Sequence, residues 1–189
     1  MNTNEIHCVI SRALTTRHRH GSMMLHFRGV YPADEVPTIN NNNSDVPWCC
    51  VANTDPHDKP GEHWVAFVFD VRNKCYEYFD PYGMPLESYP ALHARIRRVS
   101  TMRQCYAPVA THIQPPLSTT CGHFCVYFLC QRSMSLSYPQ IVNRLLSIPM
   151  RSRDAFVYDF MRVLTSTLGI QRPCRDVCKG SQCCRPLSQ

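Results

Sequence analysis

The sequence has no run of about 18 consecutive apolar residues, so no segment is suited to cross a membrane as a helix. Met1-Asn-Thr-Asn-Glu5 lacks the basic stretch followed by an apolar one that marks a secretory leader, so a secreted protein is not expected. There are no internal repeats, which sets repeat architectures aside. Charge is not concentrated either. The formal net charge is +6, and Arg17-His18-Arg19-His20 is too short to make a strong basic patch. That balance is compatible with nucleic-acid contact without demanding it.

Cysteine, by contrast, is abundant, with 12 in 189 residues. Without a secretory leader a disulfide framework is not expected, and most of these should be reduced thiols. Cys49, Cys50, Cys75, Cys125 and Cys130 fall in apolar runs and read as small core residues. Cys174, Cys178, Cys183 and Cys184 lie in a stretch of proline and basic residues with almost no large apolar side chains. Their Cys-x3-Cys-x4-Cys-Cys spacing, with no histidine, is a poor zinc pattern. Residues 171–189 read as a flexible tail, and residues 1–170 as one domain with a real core.

Within that domain, apolar side chains at Ile6, Val9, Ile10 and Leu14 have helical spacing, with Thr3 or Asn4 as the cap. Phe27 to Pro37, with two prolines, reads as loop, and Asn40 to Asp45 as a polar surface loop. A sheet follows. Trp48–Asn53 reads as a buried strand, and His63–Asp70 and Cys75–Asp80 as a hairpin turned at Arg72-Asn-Lys74. Leu86–Val99 reads as a helix, and Gln104–Ile113 as one or two short strands. Later helices should start at Ser137, with Pro139 in the first turn, and at Ser152, the last ending at Gly169. Runs of strand and then helix argue an α+β fold, a small mixed or antiparallel sheet flanked by helices.

One stretch carries chemistry. Gln114-Pro-Pro-Leu-Ser-Thr-Thr-Cys121-Gly-His-Phe-Cys125 is an extended, proline-stiffened loop that turns abruptly into a helix. Ser118, Thr119 and Thr120 are candidate caps. Cys121 then falls at or near the first turn, where unpaired N–H groups and the helix dipole favour a thiolate. Such a nucleophile needs a base, an orienter for the base and donors for an oxyanion. His123 follows Cys121 by two and on a helix points away from it. His63 opens a strong strand, and Asp80 closes its hairpin neighbour. The start of one antiparallel strand lies beside the end of the next, so imidazole and carboxylate should meet, with Nδ1–H donating to Asp80. Taken alone, Asp80-Pro-Tyr-Gly83 reads as an Asp-initiated turn. Gln114, across the Pro-Pro loop, could join the Cys121 amide as oxyanion donor.

The order His63-Trp64, Phe79-Asp80-Pro-Tyr-Gly83, Gln114 and Ser118-x-x-Cys121-Gly-x-Phe-Cys125 resembles the adenovirus-type cysteine proteases (adenain), which also occur in Maverick/Polinton transposons. Val51-Ala-Asn-Thr54 is similar too. SUMO and ubiquitin-like proteases share the order, but usually have Asp where this chain has Thr120. The resemblance implies the cysteine-protease fold of that clan and a thiol endopeptidase with Cys121 as nucleophile, His63 as base, Asp80 as orienter and Gln114 as oxyanion donor. It implies cleavage of precursor capsid or core proteins after small residues such as Gly, in virion or transposon particle maturation. No metal or other cofactor is expected for the chemistry. An activating peptide, bonded through Cys105, and nonspecific DNA are the implied partners, with a monomeric enzyme in the host nucleus or virion. The competing readings are a deSUMOylase or deubiquitinase-like isopeptidase, and a nucleic-acid-binding or interaction protein without catalysis.

Overall fold

The computed structural model describes residues 1–17, 24–38, 46–106 and 111–170. The basic turn beyond position 17, the asparagine-rich loop and the tail from 171 lie outside the described residues. Five strands form one mixed sheet: β1 (His26–Tyr31), β2 (Trp48–Asn53), β3 (Trp64–Asp70), β4 (Cys75–Phe79) and β5 (Arg103–Gln104), arranged in chain order. β2, β3 and β4 are antiparallel, while β1 and β5 run parallel to their neighbours at the two edges. The helices are α1 (Thr3–Arg17), α2 (Pro90–Val99), α3 (Cys121–Ser133), α4 (Tyr138–Ser147) and α5 (Arg153–Thr167). The fold class is therefore α+β, with the sheet covered on both sides.

The two faces follow from the period-2 alternation of strand side chains. Cys49, Val51, Ala66, Val68 and Phe79 pack with residues of α1, α3, α4 and α5, including Ile6, Ile10, Phe124 and Phe128. The intervening residues Trp48, Cys50, Ala52, Val65, Phe67, Phe69 and Tyr78 pack against Leu86, Leu92 and Ile96 on the side of α2. Burial on both faces explains why Trp48-Cys-Cys-Val-Ala-Asn53 is almost continuously apolar. The α3 helix lies across the sheet centre. Its Phe128 ring stacks on Phe79 at 4.4 Å with an interplanar angle of 1°.

Several sequence expectations change. Phe27 to Tyr31 is the edge strand β1 rather than loop. Its register shifts between Phe27 and Gly29, which interrupts the alternation that would have signalled it. The first helix is capped by Asn2, whose Oδ1 accepts from the Glu5 amide at 2.9 Å, not by Thr3 or Asn4. The Leu86–Val99 helix is broken into a single 3-10 turn at Leu86–Ser88 and α2, with Pro90 opening the second piece. Beyond Met102, the described residues of the expected strands show only the two-residue β5, and positions 107–110 lie outside the described residues. Ser137 caps α4 as expected, with Gln140 completing a capping box.

The α3–sheet contact also buries an ion pair that the sequence does not reveal. Arg132 near the end of α3 grips Glu77 of β4 with two parallel bonds, Nε to Oε2 at 2.7 Å and Nη2 to Oε1 at 2.9 Å. Burial pushes the Glu77 carboxyl above its usual value even though Arg132 opposes the shift. Removing the guanidinium alone would strand a buried carboxylate. Arg132→Met should therefore destabilise the fold by about 3–5 kcal/mol in denaturant unfolding at neutral pH. A carboxyl raised in the folded state binds its proton there before the unfolded chain does, so the deficit should shrink as pH falls. A loss below about 1 kcal/mol would mean that the pair behaves as a surface one.

Candidate active site

The β3–β4 hairpin sets the register of the site. It pairs Asp70 with Cys75 and Ala66 with Phe79. Continued past the strand ends, the same pairing sets position 82 opposite position 63 and leaves Asp80 on the same face, one step along. His63 stands one residue before β3, but Thr54 donates its amide to the His63 carbonyl at 2.9 Å, so the β2–β3 ladder runs on through it. Gly61 makes the return to that ladder possible. Its φ is +82°, and an added Cβ would fall 2.6 Å from Asn53 Nδ2.

His63 and Asp80 meet as expected from the hairpin, with His63 Nε2 at 2.7 Å from Asp80 Oδ1. One detail differs: Nε2 rather than Nδ1 faces the carboxylate. The ring is buried, with His63 5% accessible. The Tyr82 ring stacks on the imidazole at 4.5 Å and 25° and covers one of its faces. Among the described residues Nδ1 has no hydrogen-bond partner, which leaves it as the nitrogen able to exchange a proton with a thiol.

Asp80 is itself held by more than the sequence suggested. Oδ1 also accepts from the Tyr82 amide at 2.7 Å, and Oδ2 accepts from the Tyr89 hydroxyl at 2.9 Å and the Tyr78 hydroxyl at 3.3 Å. The turn reading is true as well, since Gly83 donates to the Asp80 carbonyl at 2.9 Å. The carboxylate is thus both turn initiator and imidazole partner. Tyr78 could have been found from its same-face position two residues before Asp80. Tyr89 carries no such local signal.

Cys121 is the first residue of α3, as read from the sequence, and is 8% accessible. At that position its backbone N–H has no carbonyl partner within the helix. The ionisation of the pair is reversed from the ordinary order. Burial pushes the Cys121 thiol up, but interaction with His63 and the amides of Trp64 and Gly122 outweighs it and holds the thiol below its usual value. Burial pulls the His63 imidazole down, but Asp80 and Cys121 outweigh it and raise the imidazole to about 9. The arrangement favours a thiolate–imidazolium pair. Cys125, one turn further, is the contrasting case. It is fully buried, donates its Sγ–H to the Trp64 carbonyl at 3.3 Å, and burial pushes its thiol well up. The ring of His123 lies against Tyr158 at 4.6 Å, on the α5 side, as its spacing from Cys121 required.

Gln114 is fully buried. Its backbone amide is pinned to the Pro81 carbonyl at 2.8 Å, and Nε2 donates to the Ser118 carbonyl at 2.6 Å, with the Tyr82 hydroxyl at 3.4 Å. The structure thus places Gln114 against the loop that leads into Cys121. An open cleft of about 590 Å³ adjoins His63, lined among others by Thr54, Asp55, Glu62, Tyr82 and Tyr89.

Cys105, the residue through which the resemblance would bond an activating peptide, is already paired within the chain. It is bonded to Cys75, with Cα atoms 5.3 Å apart, so it offers no free thiol to a peptide and Cys75 is not a core thiol. Parallel pairing of β4 and β5 sets Cys75 opposite Arg103, and the Cys105 amide donates to the Tyr76 carbonyl at 2.7 Å, which brings the two sulfurs together. An incoming peptide thiol would have to displace Cys75 by exchange.

A model of the adenovirus endoprotease family matches residues 27–150, roughly two thirds of the chain. The protease of human adenovirus B serotype 3 is 34% identical over 91 residues, 43% of this chain and 43% of that protein. The protease of avian adenovirus 8 is 26% identical over 164 residues, 80% of this chain and 75% of its own. A cysteine protease of African swine fever virus is 26% identical over 125 residues, 60% of this chain and 45% of its own. The chain spans about half the length of several of the curated relatives that it matches. The chain belongs to the adenovirus endoprotease family.

Proposed function

We propose that the chain is a cysteine endopeptidase that cleaves precursor proteins after small residues such as Gly. The observation that carries this reading is the buried relay from Asp80 through His63 to a thiol held below its usual value. The Cys121 thiolate attacks the scissile carbonyl carbon, forming the C–S bond while the carbonyl electrons move to oxygen. The oxyanion is received by the Cys121 backbone N–H and by the Gln114 N–H that is not committed to the Ser118 carbonyl. Collapse breaks the C–N bond, and the His63 imidazolium gives its proton to the departing amine. His63 then takes a proton from water, which attacks the thioester; the C–S bond breaks, and the carboxylic acid leaves the Cys121 thiolate beside the His63 imidazolium. Asp80 holds the imidazole in place and favours its charged form, with the Tyr78 and Tyr89 hydroxyls fixing the carboxylate in turn.

Family membership supports precursor processing in viral or transposon particles as the setting, and protein chains as substrates. It also supports an activating peptide and DNA as partners, the second in keeping with the net charge of +6. The Cys75–Cys105 bond restricts the route by which a peptide could attach. Among the described residues no helix is long and apolar enough to cross a membrane.

The test is hydrolysis of an extended peptide library by the purified full chain, read by mass spectrometry, with and without duplex DNA. Cleavage on the carboxyl side of small residues is expected, and any DNA stimulation should fall steeply with salt. Turnover confined to the C-terminus of a folded ubiquitin-like protein would move the assignment to an isopeptidase. Thiol-independent cleavage would overturn it.

A further inference from the structure

The loop from Gln114 to Cys121 is held at both ends by two consecutive side chains that begin α5. At the first end, Arg153 is buried at 6% accessibility. Its Nη1 donates to the carbonyls of His112 at 2.9 Å and Ile113 at 3.1 Å, immediately before Gln114. The rest of the guanidinium is anchored on the C-terminal end of α4, through Ile148 O at 2.9 Å and Leu146 O at 3.2 Å. At the other end, Asp154 Oδ1 accepts from Thr120 Oγ1 at 2.6 Å and from Ser118 Oγ at 2.9 Å. A residue placed only to favour its own helix start would face that helix's free amides. Asp154 instead accepts from a separate segment. It leaves Thr120, the residue before α3, with no side-chain bond to α3's own backbone.

The chain of contacts runs on to the oxyanion donors. Ser118 Oγ also lies 2.6 Å from Thr120 Oγ1, so the two hydroxyls and the carboxylate form one cluster in which two hydrogens serve three contacts, and the Thr120 amide donates to Ser118 Oγ at 3.2 Å. The Ser118 carbonyl then takes Gln114 Nε2 at 2.6 Å and the Tyr82 hydroxyl at 3.1 Å. Gln114 Oε1 is buried with no hydrogen-bond partner, so the Ser118 carbonyl is the main contact that fixes the direction of the Gln114 amide. Between the two ends, Leu117 is fully exposed and held at φ +65°, a conformation that persists only where the surroundings impose it.

We propose that Asp154 is a positioning residue for acyl transfer. Its carboxylate fixes the Ser118–Thr120 segment, and through it the Gln114 amide and the start of α3, so that both oxyanion donors converge. Arg153 fixes the opposite end of the same loop. The proposal rests on the thiol-peptidase reading above, and it makes a separable claim. Asp154 acts on the oxyanion side and not on the Cys121–His63–Asp80 relay, which it does not touch by any hydrogen bond in the structure.

Two reactions of the same sulfur separate these roles. Iodoacetamide alkylates a thiolate by displacement and needs no oxyanion site. N-acetylglycine p-nitrophenyl ester acylates it through a tetrahedral oxyanion, and stopped-flow release of p-nitrophenolate reads the step. In the full chain, Asp154→Ala is expected to slow acylation by roughly tenfold to a hundredfold, less than loss of a whole donor. Alkylation of Cys121 should stay within about twofold, since thiolate formation governs it. Asp154→Asn, whose Oδ1 can still accept from both hydroxyls, should restore most of the acylation rate. Equal losses in both reactions, or unchanged acylation in Asp154→Ala, would overturn the proposal. So would wild-type protein that alkylates through His63 yet forms no acyl-enzyme. Failure of the underlying reading looks different: wild-type Cys121 would then alkylate no faster than its His63→Ala form.

Discussion

Cys121→Ser is expected to reduce peptide hydrolysis by at least about 10⁴-fold while leaving the fold intact. The loss follows from the chemistry of the pair. The structure lowers the thiol and raises the imidazole, which favours an ion pair before substrate arrives. A serine hydroxyl ionises far too weakly to hold a charged state there, and His63 would have to remove its proton during attack. Among the described residues, the neighbouring thiols are poorly placed to stand in. Cys49, Cys50 and Cys125 are fully buried, and burial pushes each of them up, away from the thiolate. Stability should change little, because the substitution removes little volume at a partly accessible sulfur and leaves the His63–Asp80 bond in place. The check is the rate of peptide cleavage together with the thermal midpoint of both proteins. A midpoint within a few degrees and activity at background is the expected result. Substantial residual cleavage would move the nucleophile elsewhere.

How much of this was legible in the sequence depended on whether the signal was local. The His63–Asp80 meeting followed from a hairpin whose turn, Arg72-Asn-Lys74, is short and whose strands are strongly apolar. Cys121 at the helix start followed from the change from a proline-stiffened loop to an apolar run. Both rest on neighbours in the chain. The orientation of the imidazole did not, because nothing in the neighbouring sequence says which ring nitrogen faces Asp80. The edge strand β1 was hidden by its bulge at Gly29 and by pairing in parallel with a segment some twenty residues on. Cys75 and Cys105 are 30 residues apart and meet only once β5 docks on β4. Arg153 and Asp154 look like ordinary charged residues at a helix start, and their partners lie on a loop more than thirty residues earlier. Glu77 and Arg132 are likewise polar residues whose burial only the packing of α3 on the sheet creates. In each missed case the determining contact is long-range. The family resemblance, by contrast, was carried by short motifs in a fixed order and could be read directly.

The central claim is that His63 activates Cys121, and its largest consequence for an isolated protein is a change in thiol ionisation. In wild type, the lowered thiol should be thiolate from a pH below the ordinary thiol range upward. Its imidazolium partner should persist until pH rises through about 9, where the raised imidazole loses its proton. Hydrolysis should therefore follow a bell, rising with thiol ionisation and falling as His63 deprotonates. In His63→Ala the largest stabiliser of the thiolate is gone, and burial then pushes the thiol up. At neutral pH the thiolate fraction should fall at least about tenfold, the loss that accompanies a rise of about one in the thiol pKa. The most direct measurement is the pH dependence of iodoacetamide labelling at limiting dose, resolved by mass spectrometry for each cysteine, in wild type and His63→Ala. Preferential labelling of Cys121 in wild type, with a midpoint below the ordinary thiol range that moves up in the variant, is the expected result. A Cys121 midpoint in the ordinary range or above in wild type, unmoved by His63→Ala, would contradict the account.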